Sequence, residues 1–227
     1  MADSTTPRPR RGRPRLVDRD RIIAAAKTLD PSTLTMQALA EAMGVDRKTL
    51  HYHVENRESL LRLTAADAFK DAVAVHSFVP TEDWRDCVRS FATITREAVI
   101  TAGAWASYVA FDGADDLEAV RPAEIAAEAL VKAGLSEQSA GRVVATLAVL
   151  AFASARDLSA SPLDRHPQEP VLQRALEHEA GGQFALIRRL VGSGAASLGS
   201  ESQFTFELDL VLLGVERMLE IDQEPVS

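Results

Sequence analysis

The sequence has few of the residues that support redox, metal or membrane chemistry. Its single cysteine, Cys87, cannot form a disulfide within the chain, and its apolar surroundings predict a small core residue. The apolar run 143–155 is closed at 13 residues by Arg142 and Arg156, which is shorter than the ~18 residues of a membrane span. Because the first residues are polar and rich in arginine, we expect no secretory signal, no membrane partner and a cytoplasmic location.

Groups that could carry catalysis or bind a metal are scattered along the chain. His76, His166 and His178 have no cysteine or carboxylate at ligand spacing. No phosphate-binding loop, nucleophile-base arrangement or carboxylate pair has a recognisable spacing. We therefore predict no metal site, no cofactor and no enzymatic activity.

Most of the sequence has apolar residues at helical spacing. Hydrophobic residues make up 46% of the chain and charged residues 26%, which is typical of a globular protein. Apolar positions repeat with helical spacing and no strand-type alternation appears, so we predict an all-α fold. Side chains that accept hydrogen bonds at helix starts precede the apolar segments. The predicted caps are Asp18, Thr35, Asp46, Asn56, Thr81 and Ser136.

A long helix is predicted from Asn56, with helical spacing of apolar residues as far as Pro80. The predicted helices after residue 80 are interrupted by glycine- and proline-rich segments. A short helix carries Trp105, Tyr108, Val109 and Phe111 and ends at 112–113. Further helices are predicted at 117–132, with Pro122 near a helix start, at 136–158, at 171–191 with an interruption at 181–182, and at 203–221. The segments 159–170 and 192–202 are predicted loops.

Residues 35–61 have the layout of a helix-turn-helix. Thr35 begins one short amphipathic helix, Gly44 provides the turn and Asp46 begins a second helix. That second helix carries groups that suit DNA, namely Arg47, Lys48, Thr49, His51 and Tyr52. The layout predicts that the second helix enters a major groove.

A helical projection of residues 46–53 separates the core side of this helix from its outer side. At ~100° per residue, Leu50 points inward while Lys48 and Tyr52 point outward. Arginine and lysine suit guanine N7 and O6, hydroxyls suit phosphates, and His51 can donate to a base or a phosphate. His53 projects back toward Leu50, so we predict a packed, hydrogen-bonded histidine there.

The net charge of −8 is unevenly divided along the chain. Residues 1–60 carry 11 basic and 8 acidic residues, and the remainder carries 14 and 25. This division favours localised phosphate contact by the N-terminal part. Residues 1–17 lack apolar periodicity and predict a flexible arm. Within PRRGRPR, we expect Arg10, Arg11 and Arg13 to enter a minor groove.

The segment GVDRKTLHYHVENRESLL resembles the signature of TetR-family transcriptional regulators. The similarity covers about residues 18–65; it departs at His51, usually tyrosine or phenylalanine, and at Arg57, usually lysine. The resemblance implies phosphate contacts by Thr35, Tyr52 and Arg57. It also implies base-edge candidates at Gln37, Arg47, Lys48 and His51, with Thr49 able to serve either purpose.

Two C-terminal helices are apolar on more than one face, which indicates a helical dimer interface. They are the predicted helices at about 136–158 and 203–221, and the sequence FTFELDLVLLGVERML in the second resembles the end of a tetracycline-repressor-type C-terminal domain. The family resemblance implies a homodimer through these helices. The predicted domains are an arm at 1–17, a three-helix DNA-binding domain at 18–64 and a helical ligand-binding and dimerisation domain at 65–227.

Aromatic residues and lone polar groups between residues 84 and 157 are the candidates for a ligand pocket. They are Trp84, Phe91, Thr95, Trp105, Tyr108, Phe111, Thr146 and Arg156. A mostly apolar cavity with a few polar anchors suits a small apolar or aromatic molecule.

We therefore expect a dimeric, ligand-responsive DNA-binding regulator that represses transcription and leaves a near-palindromic operator when its effector binds. Two alternatives remain. A constitutive architectural DNA-binding protein would have a solid body without a cavity, and an all-α enzyme would have a polar, titratable cleft.

Overall fold

The computed structural model describes residues 17–76, 78–111, 113, 117–160, 169–179, 181–192 and 200–223. Every regular element within these ranges is helical, which confirms the all-α prediction. The α-helices are α1 Arg19–Lys27, α2 Met36–Met43, α3 Arg47–His51, α4 Arg57–Ala74, α5 Trp84–Ala102, α6 Leu117–Ala133, α7 Glu137–Ala160, α8 Glu169–His178, α9 Ala185–Gly192 and α10 Glu201–Gln223. A 3-10 helix, Gly103–Tyr108, follows α5. The predicted minor-groove residues Arg10, Arg11 and Arg13 lie outside the described residues.

Most predicted helix starts are confirmed by hydrogen bonds from backbone N–H groups to the capping side chains. The bonds run from Arg21 to Asp18 (2.8 Å), from Ala38 to Thr35 (3.0 Å), from Lys48 to Asp46 (2.7 Å), from Ser59 to Asn56 (2.9 Å) and from Ser139 to Ser136 (3.2 Å). Each bond satisfies an amide that has no partner within its own helix.

The predicted cap at Thr81 is wrong. Asp83 caps α5, and its carboxylate accepts the N–H of Arg85 at 2.9 Å. The hydroxyl of Thr81 instead donates to the carbonyl of Asp83 at 3.0 Å. A carboxylate two residues downstream therefore competes successfully with the threonine hydroxyl.

Three other helix boundaries also differ from the predictions. The short helix predicted through Phe111 is a 3-10 segment that ends at Tyr108. Pro122 lies inside α6, where its ring is buried, and not at the helix start. The predicted helix from Asn56 to Pro80 ends at Ala74. Tertiary packing, which the local pattern does not contain, sets these ends.

The predicted interruption of the helix at 171–191 is confirmed, because α8 ends at His178 and α9 begins at Ala185. The predicted loops at 159–170 and 192–202 lie largely outside the described residues, which exclude 161–168 and 193–199.

The chain divides into two compact units, Met1–Leu60 and Leu61–Ser227, and the division falls inside α4. The first unit buries one apolar face from each of α1, α2 and α3. Its buried side chains include Ile22, Ile23, Ala26, Leu34, Met36, Leu39, Ala40, Leu50, Val54 and Leu60. The predicted boundary at 64/65 also falls inside α4, and the domain boundaries remain a prediction.

Two apolar clusters form the core of the second unit. The larger one joins α5, α6, α7 and α10 and contains Trp84, Phe91, Leu130, Leu147, Phe204 and Leu212. The smaller one joins α4, α5, α6 and α7 around Phe69, Ile94, Ala98 and Val99. Cys87 is buried, as predicted, at 1% exposure.

Helix α7 is long and apolar enough over Glu137–Ser159 to cross a membrane, although the uncharged run within it has only 13 residues. Core helices of soluble proteins can have the same length and composition. In α7 one stripe is fully committed to the protein core, because Val143, Leu147, Ala151 and Ala155 are all buried. One face of α7 therefore belongs to the protein core, and the opposite face is exposed in the single chain.

A buried arginine links three helices of the second unit. The side chain of Arg96 on α5 is only 3% exposed. Its Nε donates to the hydroxyl of Ser154 on α7 at 3.0 Å, and its Nη1 donates to Glu201 on α10 at 2.8 Å. The guanidinium also lies 4.9 Å from the ring centroid of Phe204. Because Glu201 is 72% exposed, we expect packing and the Ser154 bond to outweigh the ion pair.

Replacing Arg96 should therefore cost more stability than neutralising its acidic partner. We expect Arg96→Ala to lower the free energy of unfolding by about 2–4 kcal/mol, because it leaves a cavity and a buried hydroxyl without its donor. Glu201→Gln should cost less than about 1 kcal/mol. Urea-induced unfolding followed by circular dichroism measures both. Equal losses in the two variants would show that the ion pair is the dominant interaction.

Candidate DNA-binding face and ligand cavity

The turn between α2 and α3 depends on Gly44. Its backbone is left-handed (φ 66°, ψ 35°), a conformation that glycine adopts at little cost. The N–H of Val45 donates to the carbonyl of Ala40 at 3.0 Å, and the N–H of Gly44 donates to Glu41 at 3.1 Å. These two bonds are the Schellman pattern that ends a helix. They fix the direction in which the chain enters α3.

Helix α3 has one inward anchor and a polar outer surface. Leu50 is fully buried, as the projection predicted. Arg47, Lys48 and His51 are exposed, and Tyr52, at the C-terminal cap of α3, is 87% exposed. A tyrosine this exposed contributes almost nothing to the core, so its ring and hydroxyl are available to an external partner.

An open depression of about 290 Å³ lies beside α3 in the first unit. Residues from α2, α3 and the start of α4 line it, and they are Thr35, Met36, Gln37, Arg47, His51, Asn56 and Arg57. Five of these seven were predicted to contact DNA from the sequence. The structure therefore brings the α2 and α4 candidates next to those on α3.

Gln37 differs from the other residues of this depression because it already has an acidic partner. Its Nε2 donates to Oε1 of Glu41, one helical turn later, at 2.7 Å. The exposed carboxylate of Glu41 disfavours a phosphate beside it. Gln37 therefore offers its carbonyl oxygen and the second N–H of Nε2, a combination that suits a base edge.

Arg57 holds the loop between α1 and α2. Its Nε donates to the carbonyl of Leu34 at 2.6 Å, and its Nη2 lies 3.0 Å from the carbonyl of Pro31 and 3.3 Å from that of Ser32. The same loop is ordered from within, because the hydroxyl and the N–H of Ser32 both donate to Asp30 and lower the pKa of that carboxyl. We name this set of contacts from Arg57 the loop clamp.

The loop clamp gives Arg57 a role that the sequence did not reveal. A phosphate contact by Arg57 stays a prediction, and it would depend on the Nη1 donors.

Both histidines of the signature differ from the sequence-based description. Nδ1 of His51 lies 3.2 Å from the carbonyl of Glu55, so a neutral imidazole donates there and presents Nε2 as an acceptor. Donation from Nε2 to DNA requires the protonated ring. His53 is exposed, so the predicted packing against Leu50 is wrong. Helix α3 ends at His51, and a helical projection does not extend beyond that residue.

The second unit contains a cavity of about 640 Å³ between the end of α5, the 3-10 helix and α7. Val99, Gly103, Ala104, Ala106 and Ser107 line one side. Ala148, Val149, Phe152, Ala153, Arg156 and Ser159 line the other. Most of this lining is small and apolar, which leaves the volume unfilled.

Of the eight ligand-pocket residues predicted from the sequence, only Arg156 lines this cavity. Trp84 and Phe91 belong to the packed core, and Thr95 and Trp105 are buried. The hydroxyl of Thr146 donates to the carbonyl of Arg142 in its own helix at 2.8 Å. Neither Tyr108 nor Phe111 lies in the lining. Large aromatic residues fill space, whereas small residues leave it open. The small residues at 103–107 and 148–153 are therefore the sequence feature that could have predicted the cavity.

The cavity is connected to α4 by an aromatic contact. Phe152, which lines the cavity, stacks on Phe69 of α4 with ring centroids 5.9 Å apart and planes inclined by 23°. Phe111 meets the same ring edge-on at 5.7 Å. Because Phe69 is only 4% exposed, a displacement of Phe152 requires its packed neighbours to adjust.

Comparison with known proteins identifies the family. Residues 78–219, more than half of the chain, match the family model described as tetracyclin repressor-like, C-terminal domain. The chain belongs to the TetR family of transcriptional regulators. As a member of this family it is a DNA-binding regulator of transcription.

Solved TetR-family structures share the fold. The Streptomyces coelicolor TetR family protein ActR, in complex with actinorhodin, is 22% identical with a TM-score of 0.71, covering 89% of this chain and 98% of that one. A possible TetR family regulator from S. coelicolor A3(2) is 23% identical with a TM-score of 0.64, covering 88% and 100%. A TetR variant from Acinetobacter baumannii AYE, in complex with minocycline, is 19% identical with a TM-score of 0.63, covering 89% and 98%.

Replacing Arg57 should have different effects on stability and on DNA binding, depending on whether Arg57 forms the loop clamp or contacts a phosphate. In this TetR-family protein we expect Arg57→Gln to lower the free energy of unfolding by about 1–3 kcal/mol, because the hydrogen bonds to loop carbonyls are lost. DNA affinity should fall without a change in its salt dependence. The readouts are urea unfolding and fluorescence anisotropy with a near-palindromic duplex selected from random DNA by the wild-type protein, which we name the selected fragment.

The control for this prediction is Arg57→Lys, which keeps the charge but cannot reproduce the planar donor geometry. It should lose stability as Arg57→Gln does. If Arg57→Gln stays fully stable and reduces the slope of log K against log salt by about 0.9, Arg57 is a phosphate contact instead.

Proposed function

We propose that the chain is a homodimeric repressor that binds a near-palindromic operator and releases it when a small apolar molecule occupies the cavity. The observation that carries the proposal is the outer surface of α3, which is basic and hydroxylic around the buried Leu50. The Gly44 turn fixes the orientation of that surface.

In the proposed complex, the exposed side chains on and beside α3 fall into two classes, those that contact base edges and those that contact phosphates. Arg47 and Lys48 donate to guanine edges in the major groove, and Tyr52 donates to a phosphate. Thr35 already accepts the N–H of Ala38, but its hydroxyl hydrogen is available to a phosphate. Thr49, which is half-buried, contributes to either class. With Nδ1 donating to the carbonyl of Glu55, a neutral His51 accepts from a base amino group through Nε2.

The proposed arm adds a second groove. Arg10, Arg11 and Arg13 follow the adjacent minor groove, as arginine-rich arms beside recognition domains do. This contact is electrostatic and therefore depends strongly on salt. It also accounts for a basic N-terminal part on an acidic chain.

Homodimerisation is supported by apolar stripes that lack a partner within the described chain. On α10, Phe206, Leu210 and Leu213 are 57%, 53% and 60% exposed and recur at helical spacing. On α7, the exposed side carries a stripe of small residues, Gly141 and Ala145, one turn apart, which allows a second helix to approach closely. Helices α7 and α10 pack against each other, so a second copy would bury both stripes in a four-helix interface. A two-fold dimer then presents two recognition helices about one turn of DNA apart (~34–36 Å).

A ligand-responsive regulator is favoured over a constitutive architectural protein because the body contains the cavity of about 640 Å³. The structures of ActR with actinorhodin and of a TetR variant with minocycline support a small-molecule effector for this chain. The small, apolar lining differs from the polar, titratable cleft that an enzyme would need. A cytoplasmic location is supported by membership of a family of soluble DNA-binding regulators.

The proposed coupling passes through α4. An effector in the cavity favours a different position of Phe152, and the stacked Phe69 transmits this to α4. The same helix begins at Arg57, whose loop clamp supports the start of α2. A shifted α4 then alters the spacing of the two recognition helices in the dimer. The effector weakens DNA binding only by its preference for the shifted state.

The proposed recognition surface is tested by removing its two most outward groups. Lys48→Ala combined with Tyr52→Ala should weaken binding to the selected fragment by at least about 30-fold, because each of the two contacts contributes about 1–3 kcal/mol. Both side chains are exposed, so the thermal stability should not change. The measurement is fluorescence anisotropy, with the stoichiometry determined by analytical ultracentrifugation.

Lys132→Ala, which removes one exposed positive charge from α6, is the matched control and should leave binding intact. The wild-type complex should contain two chains for each near-palindromic duplex. Unchanged affinity in the double variant would reject the assigned surface, and a single chain for each duplex would reject the dimer.

A further inference from the structure

The cavity contains one charged group in an otherwise small and apolar lining. Among the eleven described residues that line it, Arg156 alone carries a charge. Within the described ranges, the Arg156 side chain makes no ion pair or hydrogen bond, whereas Arg85, Arg89, Arg96 and Arg121 all have acidic partners. Arg156 is also exposed, so water solvates its guanidinium when the cavity is empty of ligand.

The other polar groups of the lining restrict what can neutralise Arg156. The hydroxyl of Ser159 donates to the carbonyl of Ala155 at 2.8 Å, so Ser159 offers a ligand only an acceptor. Ser107 is the remaining side chain with a hydroxyl. No aspartate or glutamate belongs to the described lining. The cavity therefore presents a positive charge and hydrogen-bond donors without a negative counterpart.

This arrangement discriminates between classes of ligand. An uncharged apolar molecule that filled the cavity would displace water from the guanidinium and offer nothing in return. A carboxylate on the same molecule replaces that water with two parallel, charge-assisted hydrogen bonds. The surrounding alanines, valines and Phe152 bury the apolar part of the ligand.

We propose that the effector is an apolar acid whose carboxylate binds Arg156 and whose hydrocarbon part lies between α7 and the 3-10 helix. This inference rests on the proposed function, because it names the chemical class of that effector. Arg156 is the specificity-determining residue of the cavity, and Ser107 is a secondary donor.

The test compares two probes that differ only in charge, anthracene-2-carboxylate and anthracene-2-carboxamide. Fluorescence titration of the full chain should show that the acid binds about 10- to 100-fold more tightly than the amide. Arg156→Gln should remove this preference by weakening the acid and should change the affinity of the amide by less than about threefold. Arg142→Gln, an exposed arginine on the same helix outside the cavity, is the matched control and should behave as wild type.

The location of the probe is tested by Ala153→Trp, which fills the cavity and should weaken both probes. The proposal is overturned if the acid and the amide bind equally, if Arg156→Gln leaves the acid unaffected, or if Ala153→Trp binds the acid as wild type does. It is also overturned if neither probe binds, which is the result expected if a second copy of the chain occupies this face.

Release of the selected fragment distinguishes this inference from the proposed function. If the acid binds through Arg156 but does not release DNA, the proposed function fails and the ligand class stands. If the amide releases DNA as effectively as the acid, the function stands and the ligand class fails.

Discussion

The proposed regulation depends on helix α4 being one continuous helix from Arg57 to Ala74. Arg57 and Phe69 belong to the same helix, separated by about 18 Å along its axis at 1.5 Å per residue. Arg57 forms the loop clamp beneath the start of α2, and Phe69 stacks on a residue of the cavity lining. Under the proposed mechanism, α4 is the element through which a change at the cavity reaches the loop clamp.

Electrostatics divides the molecule into parts that recognise different partners. The acidic remainder of the chain disfavours general attraction to nucleic acid, and under the proposed function the basic groups on and beside α3 form the DNA contact. Arg57 shows that a basic residue inside this surface also has a structural role, because three loop carbonyls accept its hydrogen bonds. In the second unit Arg85, Arg89 and Arg96 have acidic partners, whereas Arg156 has none among the described residues and lines the cavity.

Features that depend on a few adjacent residues were predictable from the sequence. Capping side chains such as Asp18 and Ser136, the Gly44 turn and the inward Leu50 follow from local geometry, and the structure confirms them. Features that depend on distant packing were not predictable. The exposure of His53 depends on where α3 ends, and the cavity depends on small residues of the 3-10 helix and α7 that meet only in the folded chain. Most of the aromatic ligand-site candidates lie outside the cavity lining, and those that are buried fill space in the core, but their role in ligand binding remains a prediction.

Thermodynamic reciprocity provides the most direct test of coupling between the cavity and the DNA-binding surface. The affinity of anthracene-2-carboxylate is measured by titration calorimetry for the protein alone and for the protein saturated with the selected fragment. The account predicts that DNA weakens ligand binding at least about fivefold, and by the same factor as the ligand weakens DNA binding. Equal ligand affinity in the two titrations would contradict the account, because the two sites would then be energetically independent.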